Sequence, residues 1–160
     1  MKCYLLSNKC LQLTGSPSYF SFCSQNHQVL NVNDSIDWEV NALIKNIYHR
    51  QATTEIVIEK SGIYDLFADI ITHEPSQITL FINGVPDLST VSGRDSGGNR
   101  IILRHFVALS KGDVVTVRNY ASSAVSINTG GTETGRPALF MGFLLSPLDD
   151  ECNKSCRHHK

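Results

Sequence analysis

Long hydrophobic runs are missing from this chain of 160 residues. No apolar stretch approaches the roughly 20 residues that a helix needs to cross a bilayer. The N-terminus, MKCYLLSNKC, has only a short apolar patch, so no signal peptide is expected. Charge is also scarce. Only 18% of residues are charged against 41% hydrophobic, which favours sheet over surface helix. The formal net charge of -1 removes the electrostatic case for a nucleic acid or an anionic membrane surface as partner. The local signatures of catalysis are missing too: there is no G-x-S-x-G elbow, no H-E-x-x-H helix and no G-x-x-x-x-G-K loop. No enzyme activity and no cofactor are expected. Nor does any cysteine fall between Asn26 and Glu151, so disulfides do not staple the core.

What is present is alternation. At 160 residues the chain has room for one self-sufficient domain with tails. The stretch 61–86, SGIYDLFADIITHEPSQITLFINGVP, organises it. Residues 63–71 read as a strand, with Tyr64, Leu66, Ala68 and Ile70 on one side and Ile63, Asp65, Phe67 and Asp69 on the other. A second run, ITLFI, ends in Asn83-Gly84, a dipeptide that tolerates positive φ and marks a tight hairpin. His73 and Glu74, in the break between these runs, are expected to be solvated.

Other segments follow the same period of two. Residues 19–22 form a candidate first strand inside an otherwise irregular, cysteine-containing lead-in, residues 1–28. Ile36, Trp38 and Val40 point inward, 41–49 reads as strand and loop in preference to helix, and 53–59 is β-branched strand. Residues 101–109 carry Ile101, Leu103, His105, Val107 and Leu109 on one face, and His105 is expected to be a hydrogen-bonded inward histidine, not a base. Ser110-Lys111-Gly112-Asp113 turns the chain into 114–119, where Val115 and Val117 face the core. Loops rich in Gly, Ser and Thr occupy 88–100 and 129–137. Residues 138–145, ALFMGFLL, are apolar on both faces and so need cover on both sides. The fold class is all-β, a two-sheet antiparallel sandwich over residues 29–148, with one oily outer face that calls for further copies.

Five cysteines sit toward the ends: Cys3, Cys10, Cys23, Cys152 and Cys156. Their placement admits reduced thiols or cross-links between chains. Cys152-x-x-x-Cys156-x-His158-His159, in the tail 149–160, has ligand types for a metal but no hydrophobic support for a zinc knuckle, so no metal site is assigned. The loop 95–99 has oxygen ligands but a single carboxylate, too few for calcium.

One order of motifs resembles a known family. Gly62-x-Tyr64, the Asn83-Gly84 hairpin, Ala108-Leu109-x-x-Gly112-Asp113 and Phe140-x-Gly142-Phe143-Leu144-Leu145-x-Pro147 are similar to the globular head of the first complement component. That family shares a trimeric jelly roll with tumour necrosis factor. The stretch 108–131 looks most like the C-terminal head of BclA, the collagen-tailed glycoprotein of bacterial spore surfaces, and like smaller basal-layer proteins of the exosporium. The chain departs from that pattern in lacking a Gly-X-Y repeat and in its cysteine-bearing tails.

The resemblance implies that strands 63–71, 114–119 and 138–145 are neighbours in an inner sheet. Tyr64, Leu66, Val115, Val117, Met141, Phe143 and Leu145 would fill the sandwich. Phe67, Phe140 and Leu144 would face a threefold axis, with Asp65, Asp69 and Arg118 on the same face and Arg118 paired to an aspartate. It further implies a non-enzymatic homotrimer in a spore surface or similar extracellular layer, touching other surface-layer proteins and linked through its cysteines. The second reading is a lectin-like or receptor-binding head of a surface, viral or phage appendage, with a glycan or host receptor as partner.

Overall fold

The computed structural model describes residues 17–96, 99–127 and 137–148. Thirteen strands run in chain order: β1 Tyr19–Ser24, β2 Gln28–Leu30, β3 Val40–Lys45, β4 Ile47–His49, β5 Ile56–Ile58, β6 Gly62–Thr72, β7 Ser76–Ile82, β8 Val85–Pro86, β9 Ser92–Arg94, β10 Asn99–Leu109, β11 Val114–Asn119, β12 Val125–Ile127 and β13 Ala138–Pro147. The first sheet has the order β2-β12-β6-β13-β1-β3, with β10 on the opposite flank of β6 from β13. The second has the order β4-β5-β11-β7-β8, and β9 also pairs with β7. All pairings are antiparallel.

Turn chemistry sets the registers. Asn83 (φ 53°) and Gly84 (φ 79°) both occupy the left-handed region between β7 and β8, as the short hairpin requires. The Asn83 side chain also reaches the next turn: its Nδ2 donates to Asp113 Oδ1 at 2.8 Å and its Oδ1 accepts from Val114 N at 2.9 Å. Asn46, at φ 52°, breaks the run between β3 and β4 and sends the backbone from one sheet to the other.

The core lies between the sheets. Trp38, Tyr64, Phe22 and Phe140 are its largest fully buried side chains. Phe20 stacks on Phe22 with centroids 4.9 Å apart and meets Phe140 edge-on at 5.0 Å, while Trp38 lies over Phe140 at 5.7 Å. Tyr64 satisfies its hydroxyl at the rim by donating to Lys60 O at 2.7 Å and sharing a 2.9 Å bond with Ser18. Burial raises its pKa despite that bond.

Several expectations need correction. The lead-in contains a full core strand, β1, wedged between β13 and β3. Strand β11 belongs to the second sheet, not beside β6; the neighbour of β6 on that flank is β10. Strand β13 has the opposite facing from the one expected. Ala138, Phe140 and Gly142 point inward, whereas Phe143 and Leu145 are exposed and Met141 is half-buried on the outer face. Gly142 decides this facing, because a Cβ there would stand 2.5 Å from Phe20 Cε1 and 2.6 Å from Leu66 Cδ2. Glu74 is also not simply solvated. Its two oxygens accept the Ser126 backbone N–H at 2.7 Å and the Ser126 hydroxyl at 2.9 Å, tying the β6–β7 turn to β12.

Candidate assembly face

The outer face of the first sheet presents three cross-strand rows. Phe106, Asp65, Phe143 and Tyr19 form one; Arg104, Phe67, Met141 and Ser21 the next; Ile102, Asp69, Leu139 and Cys23 the third. Leu43 of β3 extends the middle row beside Ser21. Phe106 is 60% exposed, Leu43 59%, Ile102 49% and Phe143 48%. Such a contiguous apolar face is out of place on a lone soluble molecule. Part of it is concave: Tyr19, Leu43, Phe67, Met141 and Phe143 line a groove of about 380 Å³, with Asp65 and Arg104 at its wall. Beside it, along the edge strand of the sheet, Ile102 and Phe106 of β10 make a ridge.

Two ion pairs interrupt the apolar rows. Arg104 grips Asp65 in a bidentate fork, Nε to Oδ1 at 3.2 Å and Nη2 to Oδ2 at 2.7 Å. Arg100 holds Asp69 in the same way, Nε to Oδ1 at 2.8 Å with a second contact from Nη2 to Oδ2. The hydrogen bonds donated to the aspartates, and then the aspartates' charge, raise the pKa of both guanidinium groups. The carboxylates are nearly covered while the guanidiniums stay open to solvent. A buried charge needs a partner, and here each is supplied within the chain.

The predicted interface set therefore divides. Phe67, Asp65 and Asp69 are on this face. Phe140 is not: it is fully buried in the core, and Leu144 is half-buried against it. Arg118 is on the second sheet and pairs with neither aspartate; its guanidinium carbon lies 4.4 Å from the Phe81 ring centroid. Sequence reasoning missed Arg100 and Arg104. The signal was a matched spacing, two carboxylates four apart on β6 and two arginines four apart on the antiparallel β10. Cys23 lies on the same face as a free, half-buried thiol, and burial raises its pKa, which lowers its reactivity. Cys3, Cys10, Cys152 and Cys156 lie outside the described residues.

His105 is half-buried, with Nε2 3.1 Å from Ser89 Oγ, and that hydroxyl lies 2.6 Å from Asp87 Oδ1. A carboxylate only accepts, so the serine proton is committed to Asp87 and the histidine donates to the serine. A nucleophilic serine would need the reverse order, with the histidine between serine and acid.

The chain has the jelly-roll fold of complement heads and tumour necrosis factors. The globular domain of zebrafish complement 1qA protein superposes with a TM-score of 0.64 at 14% identity, covering 82% of this chain and 99% of that one. Eiger TNF from S. frugiperda gives 0.66 at 14%, covering 85% and 97%, and murine APRIL at pH 5.0 gives 0.58 at 14%, covering 81% and 99%. No protein-family model and no curated protein matches the chain. At these identities the likeness is one of fold.

Proposed function

We propose that this jelly roll is a non-catalytic building block that assembles into a homotrimer through the outer face of its first sheet. The observation that carries the proposal is the apolar groove beside the exposed ridge of Ile102 and Phe106. Groove and ridge are different parts of one face. Seating the ridge of one copy in the groove of the next makes a heterologous contact, and repetition closes it into a ring. Each large side chain so buried contributes about 1.5–3 kcal/mol. The resemblance to complement and BclA heads supports three copies per ring and a place in an exosporium or comparable extracellular layer. There the cysteines outside the sandwich, Cys3, Cys10, Cys152 and Cys156, link units to one another or to other layer proteins.

Light scattering with and without reductant, followed by a mixing experiment, tests this. The wild-type chain is expected at three times its 17.7 kDa mass under reducing conditions, and in larger linked species without reductant. Phe106→Asp removes the ridge and Leu43→Arg blocks the groove, so each variant is expected to be monomeric. Mixed, they still share one intact ridge and one intact groove, and a one-to-one heterodimer is expected. A dilute wild-type monomer would sink the proposal; a wild-type oligomer whose two variants do not associate would sink the ring geometry.

A further inference from the structure

The second sheet carries a different kind of site. A groove of about 610 Å³ runs between the 28–37 segment and Arg118 of β11, lined also by Asn33, Asp34, Ser35, Asp37 and Thr54. The backbone along its walls is already paired: Ile36 N donates to Val117 O, Asn119 N to Asp34 O, Asn33 N to Asn119 O and Trp38 N to Thr53 O. Gln28 and Asp34 are bonded within the chain as well, Gln28 to Asp37 O and N and Asp34 to Asn31, which leaves Arg118 and Asp37 as the charged side chains open to a ligand. Arg118 is held by one bond, from Nε to Thr116 Oγ1 at 2.9 Å, and by the Phe81 ring beneath it. Among the described residues neither of its Nη nitrogens has a protein acceptor, and the two ion pairs present belong to Arg100 and Arg104. The Asp37 carboxylate likewise has no protein donor among them, and its pKa is raised by burial first and by the charge of Glu39 second.

We infer that this groove binds a neutral saccharide, with the Arg118 guanidinium and the Asp37 carboxylate gripping neighbouring hydroxyls. The reasoning is one of sign and of hydrogen-bond type. An anion would meet Asp34 and Asp37; a cation would meet Arg118. A sugar hydroxyl donates and accepts at once, so it suits a groove whose lining offers both a donor fork and a carboxylate acceptor. A peptide strand is recognised largely through free backbone on a sheet edge, and these walls have theirs engaged. Arg118 is already held flat, so ordering it on binding costs little.

The test is an array of neutral oligosaccharides (hexoses, deoxyhexoses and N-acetylhexosamines) probed with the full chain. Titration calorimetry of the best responder follows, on wild type, Arg118→Lys and Asp37→Asn. Binding of a neutral sugar is expected, weakened about tenfold or more by each substitution at unchanged melting temperature, since each removes a hydrogen bond to a charged group. Arg118→Lys keeps the charge and the cover over Phe81 but loses the fork. Phe106→Asp separates this inference from the assembly reading: the affinity per copy is expected to persist in the monomer, while multivalent binding to the array is lost. No binding to any neutral sugar, binding only to acidic sugars or to peptides, or binding indifferent to both groove substitutions would each overturn the inference.

Discussion

The two sheets of this sandwich finish their outer faces in opposite ways. On the second sheet the outward Phe81 is covered by residues of its own chain, with Arg118 over its ring and Tyr120 edge-on at 6.3 Å. On the first sheet Phe106 and Phe143 have no such cover, yet Asp65 and Asp69 are paired inside the chain with Arg104 and Arg100. The second sheet covers Phe81 and leaves the Nη nitrogens of Arg118 open; the first leaves its aromatics open and pairs its arginines. Apolar surface left wet is an unspent driving force for association. Polar groups left open but held in place are the makings of recognition. The proposed division of labour between assembly and binding rests on which atoms each sheet leaves unfinished.

The largest expected effect that could break this contrast is on mass. Phe106→Asp is expected to convert the oligomer wholly to monomer in light scattering. Tyr48→Asp, an equally exposed aromatic on β4 of the second sheet, is expected to leave the mass unchanged. If both substitutions behaved alike, the two faces would not differ in role.

A smaller effect concerns the core that both faces share. Gly142→Ala would press a methyl group into Phe20 and Leu66, and overpacking of that kind costs about 1–3 kcal/mol. Chemical denaturation of the monomeric Phe106→Asp background would read this cost apart from assembly.

The smallest effects are in pH. Burial lowers the pKa of His49, although a bond to Thr53 O opposes this, and the ring rests 4.3 Å from that of Phe22. The folded state therefore prefers neutral imidazole. Its contribution is complete above the unfolded value of about 6.5 and is lost as pH falls below it. The backbone N–H of Ser126 lowers the pKa of Glu74, so that contribution is present above the ordinary glutamate range and lost as pH falls through it. Melting curves are expected to lose stability in two stages on acidification, His49→Phe flattening the first and Glu74→Gln the second.

Much of the architecture was legible where one face of a strand is polar or where a turn has a single chemical solution. Asn83-Gly84 and the alternation of Ile101, Leu103, Val107 and Leu109 appear as expected. Strand β13 was not legible in the same way. With apolar residues on both faces, its facing is decided by where Gly142 lets Phe20 and Leu66 fit, and that contact spans distant parts of the chain. Sheet membership failed for a related reason. Val115 and Val117 do face the core, but alternation says nothing of which sheet they face it from. Arg118 was placed on the wrong face for that reason, whereas Asp65, Asp69 and Phe67 do share one outer face of the first sheet, in which β6 is central.

Trp38 is the chain's single tryptophan, and it lies fully buried against Phe140 between the layers, away from either outer surface. Its fluorescence is thereby a private reporter of the interior. Emission should shift to the red when the sandwich opens and stay silent when copies merely separate. Dilution that lowers the mass without changing the colour of that emission would mean that each copy keeps its shape before it meets another.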